Sequence, residues 1–221
     1  MNLRRSDNKL AARVRAFNII KVKSYAEGDF VLASGKRSKY YLDLKPTMFD
    51  PEGANVLANL VIDFIKQRNT KVDMVGGLEM GAVPLVSAVT LLSLSKPKKL
   101  PGFFVRKEAK DHGTKKLVET AEDLTGKNVV ILDDVTTSGG SAMSAVDAAR
   151  KAGANVVLVL SVVDREEGAA EFYAEKEIPF KALFRLSEFK TPKSAISKRS
   201  PRAASRPAAR GPAAPASAAN E

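Results

Sequence analysis

Apolar positions along residues 8–190 come in blocks whose spacing switches between helical and strand-like periods. Leu10, Val14, Phe17 and Ile20 recur at helical spacing, so residues 8–23 predict an amphipathic helix. Phe30-Val31-Leu32 and Tyr40 to Leu44 predict two short strands joined through Ser34-Gly35-Lys36, a hairpin-like unit. Asp50-Pro51-Glu52 pairs an N-cap with proline at the first helical position, and Val56, Leu57, Leu60, Val61, Phe64 and Ile65 then line one face. Further strands are predicted at 73–75, 102–105, 129–132, 156–163 and 180–184, with helices at 81–94, 142–152 and 166–176.

From residue 51 onward helices and strands alternate, and the strands are continuous β-branched runs. This predicts an α/β fold with a mainly parallel sheet flanked by helices on both faces, residues 51–190 forming the core. Residues 1–50 then add a small N-terminal hood of one helix and short strands. Ligands of such sheets lie beyond the strand C-termini. Gly76, Arg106, Asp133 and Asp164 all follow predicted strands at that edge, so four separated regions converge on one crevice. Residues 191–221 differ: ten Ala, five Pro and five Ser with scattered Arg and Lys offer too little apolar bulk to offset chain entropy, and predict a disordered basic tail.

Composition narrows the chemistry. With no cysteine, disulfides, thiolate metal sites and cysteine nucleophiles are excluded, and a single histidine, His112, excludes a site of several His ligands. No apolar run reaches membrane-spanning length, and no signal-peptide pattern opens the chain, so cytoplasm is the default expectation. The net charge of +11 is carried by the ends, +6 on residues 1–23 and +5 on 191–221, leaving 24–190 neutral. Such ends attract polyanions weakly; a specific nucleic-acid function gains little from them.

The chemistry concentrates in residues 128–141, Asn-Val-Val-Ile-Leu-Asp-Asp-Val-Thr-Thr-Ser-Gly-Gly-Ser. A strand leads to Asp133 and Asp134, then to a small hydroxyl-rich turn through Thr136, Thr137, Ser138, Gly139, Gly140 and Ser141, then to a helix. Backbone N–H groups at such a turn and helix N-terminus suit an anion, and glycine lets the backbone approach closely. The acid pair would repel a phosphate but suits a cis-diol, and it favours positive charge developing nearby. Together they describe a site for a ribose 5-phosphate. A second constellation, Arg106-Lys107-Glu108-Ala109-Lys110-Asp111-His112-Gly113, follows a strand at the same edge and lacks apolar anchors.

The first run resembles the signature of type I phosphoribosyltransferases, which bind 5-phosphoribosyl 1-diphosphate (PRPP). The second is similar to the catalytic loop of orotate phosphoribosyltransferases, as are Phe30 to Asp43 and Val163-Asp164-Arg165. The resemblance covers roughly residues 8–190 and implies a type I phosphoribosyltransferase fold, PRPP and orotate as substrates, and Mg²⁺ held by PRPP and water with no direct side-chain ligand assigned. Carried over by position, Lys110, His112, Asp133 and Asp134 are the catalytic residues. Arg106, Lys107, Lys110 and His112 would contact diphosphate, Asp133 and Asp134 the ribose hydroxyls, and Val135 to Ser141 the 5-phosphate end. Thr137 and Arg165 would bind orotate, with Tyr41 and Leu42 lining its pocket.

The competing readings are an ion pair of Arg165 with Glu166 or Glu167, and plain hairpin packing for Tyr41. The resemblance further implies a homodimer in which the 106–119 loop acts across subunits, and a non-proline cis peptide in the loop Gly76 to Gly81. Two positions depart from it: Ala33 and Met80 stand where some relatives carry lysine. The rival functions are salvage of another base and PRPP sensing by a regulatory protein.

Overall fold

The apolar run around Val130 becomes the middle of a six-stranded sheet. A computed structural model describes residues 2–31, 35, 37–108 and 116–190, with side chains from Leu10 onward. In chain order the elements are α1 (Asn2–Lys23), β1 (Tyr25–Val31), β2 (Arg37–Leu42), α2 (Lys45–Met48), α3 (Pro51–Lys66), β3 (Met74–Leu78), α4 (Val83–Ser93), β4 (Gly102–Val105), β5 (Val118–Thr120), β6 (Asn128–Thr136), α5 (Gly140–Lys151), β7 (Asn155–Asp164), α6 (Ala169–Glu175), β8 (Phe180–Arg185) and α7 (Leu186–Phe189). The large sheet has the order β5-β4-β3-β6-β7-β8 and is parallel except for β5, which runs antiparallel to β4. β1 and β2 pair antiparallel as a separate two-stranded sheet.

Two cores cover the sheet, and the strand period decides which residues enter each. Val130 and Leu132 of β6 join Leu57 and Val61 of α3 and Leu85 and Val89 of α4; Val129 and Ile131 join Ala142, Ala145 and Val146 of α5 and Tyr173 of α6. All four β6 residues are fully buried, each stabilising the fold by about 1.5–3 kcal/mol relative to exposure. This fixes β6, and with it the residues that follow Leu132. α3 starts as its sequence requires: Asp50 caps it, accepting from the Gly53 N–H at 2.9 Å, with Pro51 in the first turn. α1 packs Ala16 and Ile20 into the first core and stacks Phe17 on Phe189, ring centroids 4.7 Å apart. Arg13 Nη2 donates to the Leu183 carbonyl (3.2 Å) and to Glu188 Oε2 (2.6 Å), and Lys21 Nζ to the Phe189 carbonyl (3.0 Å), so α1 clasps β8 and α7.

Several boundaries depart from the sequence expectation. β6 continues past Leu132 to Thr136, because β7 keeps the parallel register through Asp133↔Ser161 and Thr136↔Asp164. The acid pair therefore lies within a strand and not after one. The hairpin strands begin earlier than expected, pairing Tyr25 with Leu42 and Val31 with Arg37. α6 starts at Ala169, since Glu166 and Gly168 take positive φ and hold 166–168 out of the helix. β5, α2 and α7, of three or four residues, are too short to leave a periodic signal. No helix among the described residues is long and apolar enough to cross a membrane.

Candidate active site

β6 delivers both acids to the C-terminal edge of the sheet, on opposite faces because successive strand side chains alternate. Asp133 is 9 % exposed, and its Oδ2 accepts from Thr136 Oγ1 at 2.6 Å. Burial pushes its carboxyl up to about 7, helped by the neighbouring charge of Asp134 and opposed by the Thr136 bond. Asp134 is also raised by burial; Lys45 opposes that rise and Asp43 adds to it. Lys45 is itself held by Asp43, Nζ to Oδ1 at 3.1 Å, at the start of α2.

The loop after β3 lies directly on Asp134. A Cβ at Gly81 would stand 2.6 Å from Asp134 Oδ1, so any side chain there would have to displace the carboxylate. A non-proline cis peptide joins Glu79 to Met80 in this loop, in keeping with the expectation. Glu79 Oε1 accepts from the Lys107 N–H at 3.0 Å, which ties the loop after β3 to the loop after β4. Arg106 donates its N–H to the Leu117 carbonyl at 2.8 Å and places Nη1 3.6 Å from Glu119 Oε1. Its Nε is buried and makes no hydrogen bond among the described residues.

Beyond β6, Thr137 and Ser138 are exposed, Gly139 is buried with φ +92°, and α5 begins at Gly140. The first N–H groups of a helix have no intrahelical partner, so this turn presents donors at the strand edge. Arg165 follows β7, and its N–H donates to the Thr136 carbonyl at 2.9 Å. Its Nε stands 2.9 Å from Glu167 Oε1 as an ion pair, out of line for a hydrogen bond. The competing ion-pair reading is thus present in the structure. Glu166 instead accepts from the Ser187 N–H at 2.8 Å.

Arg106, Lys107, Asp133, Asp134, the turn from Val135 to Ser141 and Arg165 thus follow or end three strands of one sheet edge, β4, β6 and β7. Tyr41 and Leu42 belong to the separate hairpin: Tyr41 faces Phe30 with ring centroids 5.5 Å apart, and Leu42 packs against the first core. Lys110 and His112 lie outside the described residues, as do Ala33, Lys36 and the tail from 191 to 221. Met80 is 62 % exposed and offers no charge. Sequence reading missed the Glu79–Lys107 link and Lys45, whose only trace is the Asp-x-Lys spacing after a strand.

The phosphoribosyl transferase domain family matches this chain over residues 49–184. A protein of Rhodopseudomonas palustris named orotate phosphoribosyltransferase is 51 % identical over 185 residues, 82 % of this chain and 98 % of that one. A crystal structure of Mycobacterium tuberculosis orotate phosphoribosyltransferase in complex with Fe(III) dicitrate superposes with a TM-score of 0.71 at 30 % identity, over 81 % of this chain and 99 % of that one. Another, of the same protein with PRPP, gives a TM-score of 0.67 at 27 % identity over 80 % and 98 % of the two chains. With the acid pair, the anion-binding turn and the sheet order they sit on, these likenesses place the chain in the orotate phosphoribosyltransferase family.

Proposed function

We infer that the chain transfers the 5-phosphoribosyl group from PRPP to orotate, giving orotidine 5′-monophosphate and diphosphate, a reaction of pyrimidine (UMP) biosynthesis. The observation that carries this is the continuity of Asp133-Asp134 with the Gly139 turn and the α5 N-terminus: a diol acceptor and a phosphate cradle on one strand end. Orotate nitrogen attacks C1′ as diphosphate leaves, the ribose passing through an oxocarbenium-like state. Asp133 and Asp134 accept from the ribose hydroxyls and stabilise that positive charge, while Arg106, Lys107, Lys110 and His112 stabilise the departing anion. Thr137 to Ser141 hold the 5-phosphate, Thr136 being buried with its hydroxyl committed to Asp133; Thr137 and Arg165 orient orotate, and Tyr41 and Leu42 cover the base.

The charged loop between β4 and β5 would act as a lid, since a site permanently closed by four cations could neither load nor release ligand. Val118 and Glu119, within the 106–119 span marked from the sequence, are instead held in the sheet by pairing with β4. Arg165 would exchange Glu167 for the orotate carboxylate, which offers the guanidinium the same two-oxygen geometry. The donor set fits Mg²⁺ only in shared form: the acids are hard oxygen donors, yet no group of three metal-ligating side chains occurs among the described residues. Asp133 and Asp134 would hold the ion through ribose hydroxyls and water, and it would neutralise charge on the diphosphate. The enzyme would work in the cytoplasm as a homodimer, each lid serving the partner's site. Orotate loss followed spectrophotometrically with PRPP and Mg²⁺ tests the reading, with uracil and hypoxanthine as controls. Consumption of orotate alone is expected; consumption of either control base, or of none, would overturn it.

A further inference from the structure

Thr137, Ser138, Gly140 and Ser141 of the turn are exposed, yet its pivot, Gly139, is buried and its carbonyl is polar. The Gly139 carbonyl accepts two hydrogen bonds, from Met143 N–H at 3.0 Å and from Tyr173 Oη at 2.7 Å. Tyr173 is fully buried on α6 and comes to the turn from 34 residues away. Phe180 stacks on its ring at 5.1 Å and Phe172 meets the ring edge-on at 5.2 Å, so the phenol has little freedom to tilt. The turn lies flat on these rings: a Cβ at Gly139 would come within 2.9 Å of Phe172 Cδ1 and Tyr173 Cε2.

A phenylalanine would fill this apolar pocket without burying a hydroxyl, so the hydroxyl's desolvation is offset only by its bond to the turn. That bond sets more than a carbonyl. In a planar trans peptide the C=O and the following N–H point in opposite directions. Drawing the Gly139 oxygen toward α6 therefore turns the Gly140 N–H outward, to the side where an anion would lie. We propose that Tyr173 is a positioning residue of the phosphate cradle, its hydroxyl orienting the Gly139–Gly140 peptide so that the Gly140 N–H faces the 5-phosphate of PRPP.

Burial and the nearby charge of Asp133 both raise the phenol's pKa, which keeps it a donor throughout the working range. The inference rests on residues 137–141 receiving a phosphate, and the test separates the two. In the full chain, Tyr173→Phe keeps the ring and removes the hydroxyl. Its KM for PRPP and its Kd for inorganic phosphate, the latter measured by calorimetry, should both rise about 2- to 13-fold, the span one net hydrogen bond covers. KM for orotate and kcat should stay within about twofold, a split that general loosening would not give. Phe180→Leu loosens the same ring packing with the hydroxyl present; it should lower the melting temperature while raising the phosphate and PRPP constants far less than Tyr173→Phe does. Unchanged phosphate and PRPP constants in Tyr173→Phe, or an equal rise for orotate, would overturn the proposal. Failure of the unmodified chain to bind phosphate or to consume orotate would overturn the cradle itself, and the proposal with it.

Discussion

Asp133 shows how one buried carboxyl sets both stability and activity. Its pKa is about 7 in the fold against an ordinary value of 3.8, with burial as the main cause. Between those values the folded chain holds a proton that the unfolded chain has lost, so this residue's contribution to stability falls as pH climbs from about 4 to about 7, and is level above. Turnover should run the other way, because in the proposed mechanism the ionised form accepts from the ribose hydroxyls; kcat/KM should rise with pH through about 7. Asp133→Asn keeps an oxygen for Thr136 and removes the buried charge. The variant should lose turnover while gaining stability at pH 8, on the order of a few kcal/mol, and gaining little at pH 4. Thermal unfolding at the two pH values checks this, and a gain independent of pH would refute the assignment. The raised pKa was not legible in the sequence, where Asp133 and Asp134 look alike; the fold separates them by the deeper burial of Asp133 and its Thr136 partner, and by Lys45 beside Asp134.

At the scale of elements, legibility followed length and period. α3, with its Asp50 cap and an apolar face through Ile65, could be read to the residue at its start, and β4 coincides with its expected span. β6 could not be read to its end, since Asp133 to Thr136 carry no strand-like pattern and are held in the sheet by pairing with β7. Tertiary register overrode local propensity there. The candidate site was legible wherever it formed one uninterrupted string, as from Asp133 to Ser141, and obscure where distant segments meet, as at Glu79 with Lys107 or Tyr173 with Gly139. The clasp of α1 on α7 is another such meeting. Phe17→Ala would remove the stack on Phe189 and should lower unfolding free energy by roughly 2–4 kcal/mol, with KM for PRPP little changed. Urea denaturation measures the first quantity and steady-state kinetics the second; an equal loss of PRPP affinity would mean that α1 supports the site directly.

Across the whole molecule, charge is apportioned by region. Residues 24–190 are neutral overall while the two ends are basic, so a net charge of +11 describes no single surface. The proposed homodimer, with lids acting across subunits, makes a prediction no single site makes. Lys110→Ala removes a lid cation and Asp133→Asn removes a diol acceptor, each inactivating its own homodimer. Mixed and allowed to exchange subunits, the two variants should recover about a quarter of normal turnover, because half the dimers are hybrids and each hybrid rebuilds one intact site. No recovery after exchange, confirmed by native mass spectrometry, would place each lid over its own subunit's site.

The embrace of β8 and α7 by α1 also constrains the order of events during synthesis. Phe17 leaves the ribosome more than 160 residues before Phe189, the ring on which it finally stacks. Until that partner emerges, the apolar stripe of α1 has no complete seat and stays available to chaperones or to other nascent chains. Closure of this fold therefore waits for β8 and α7 to emerge, whatever assembles earlier around β6.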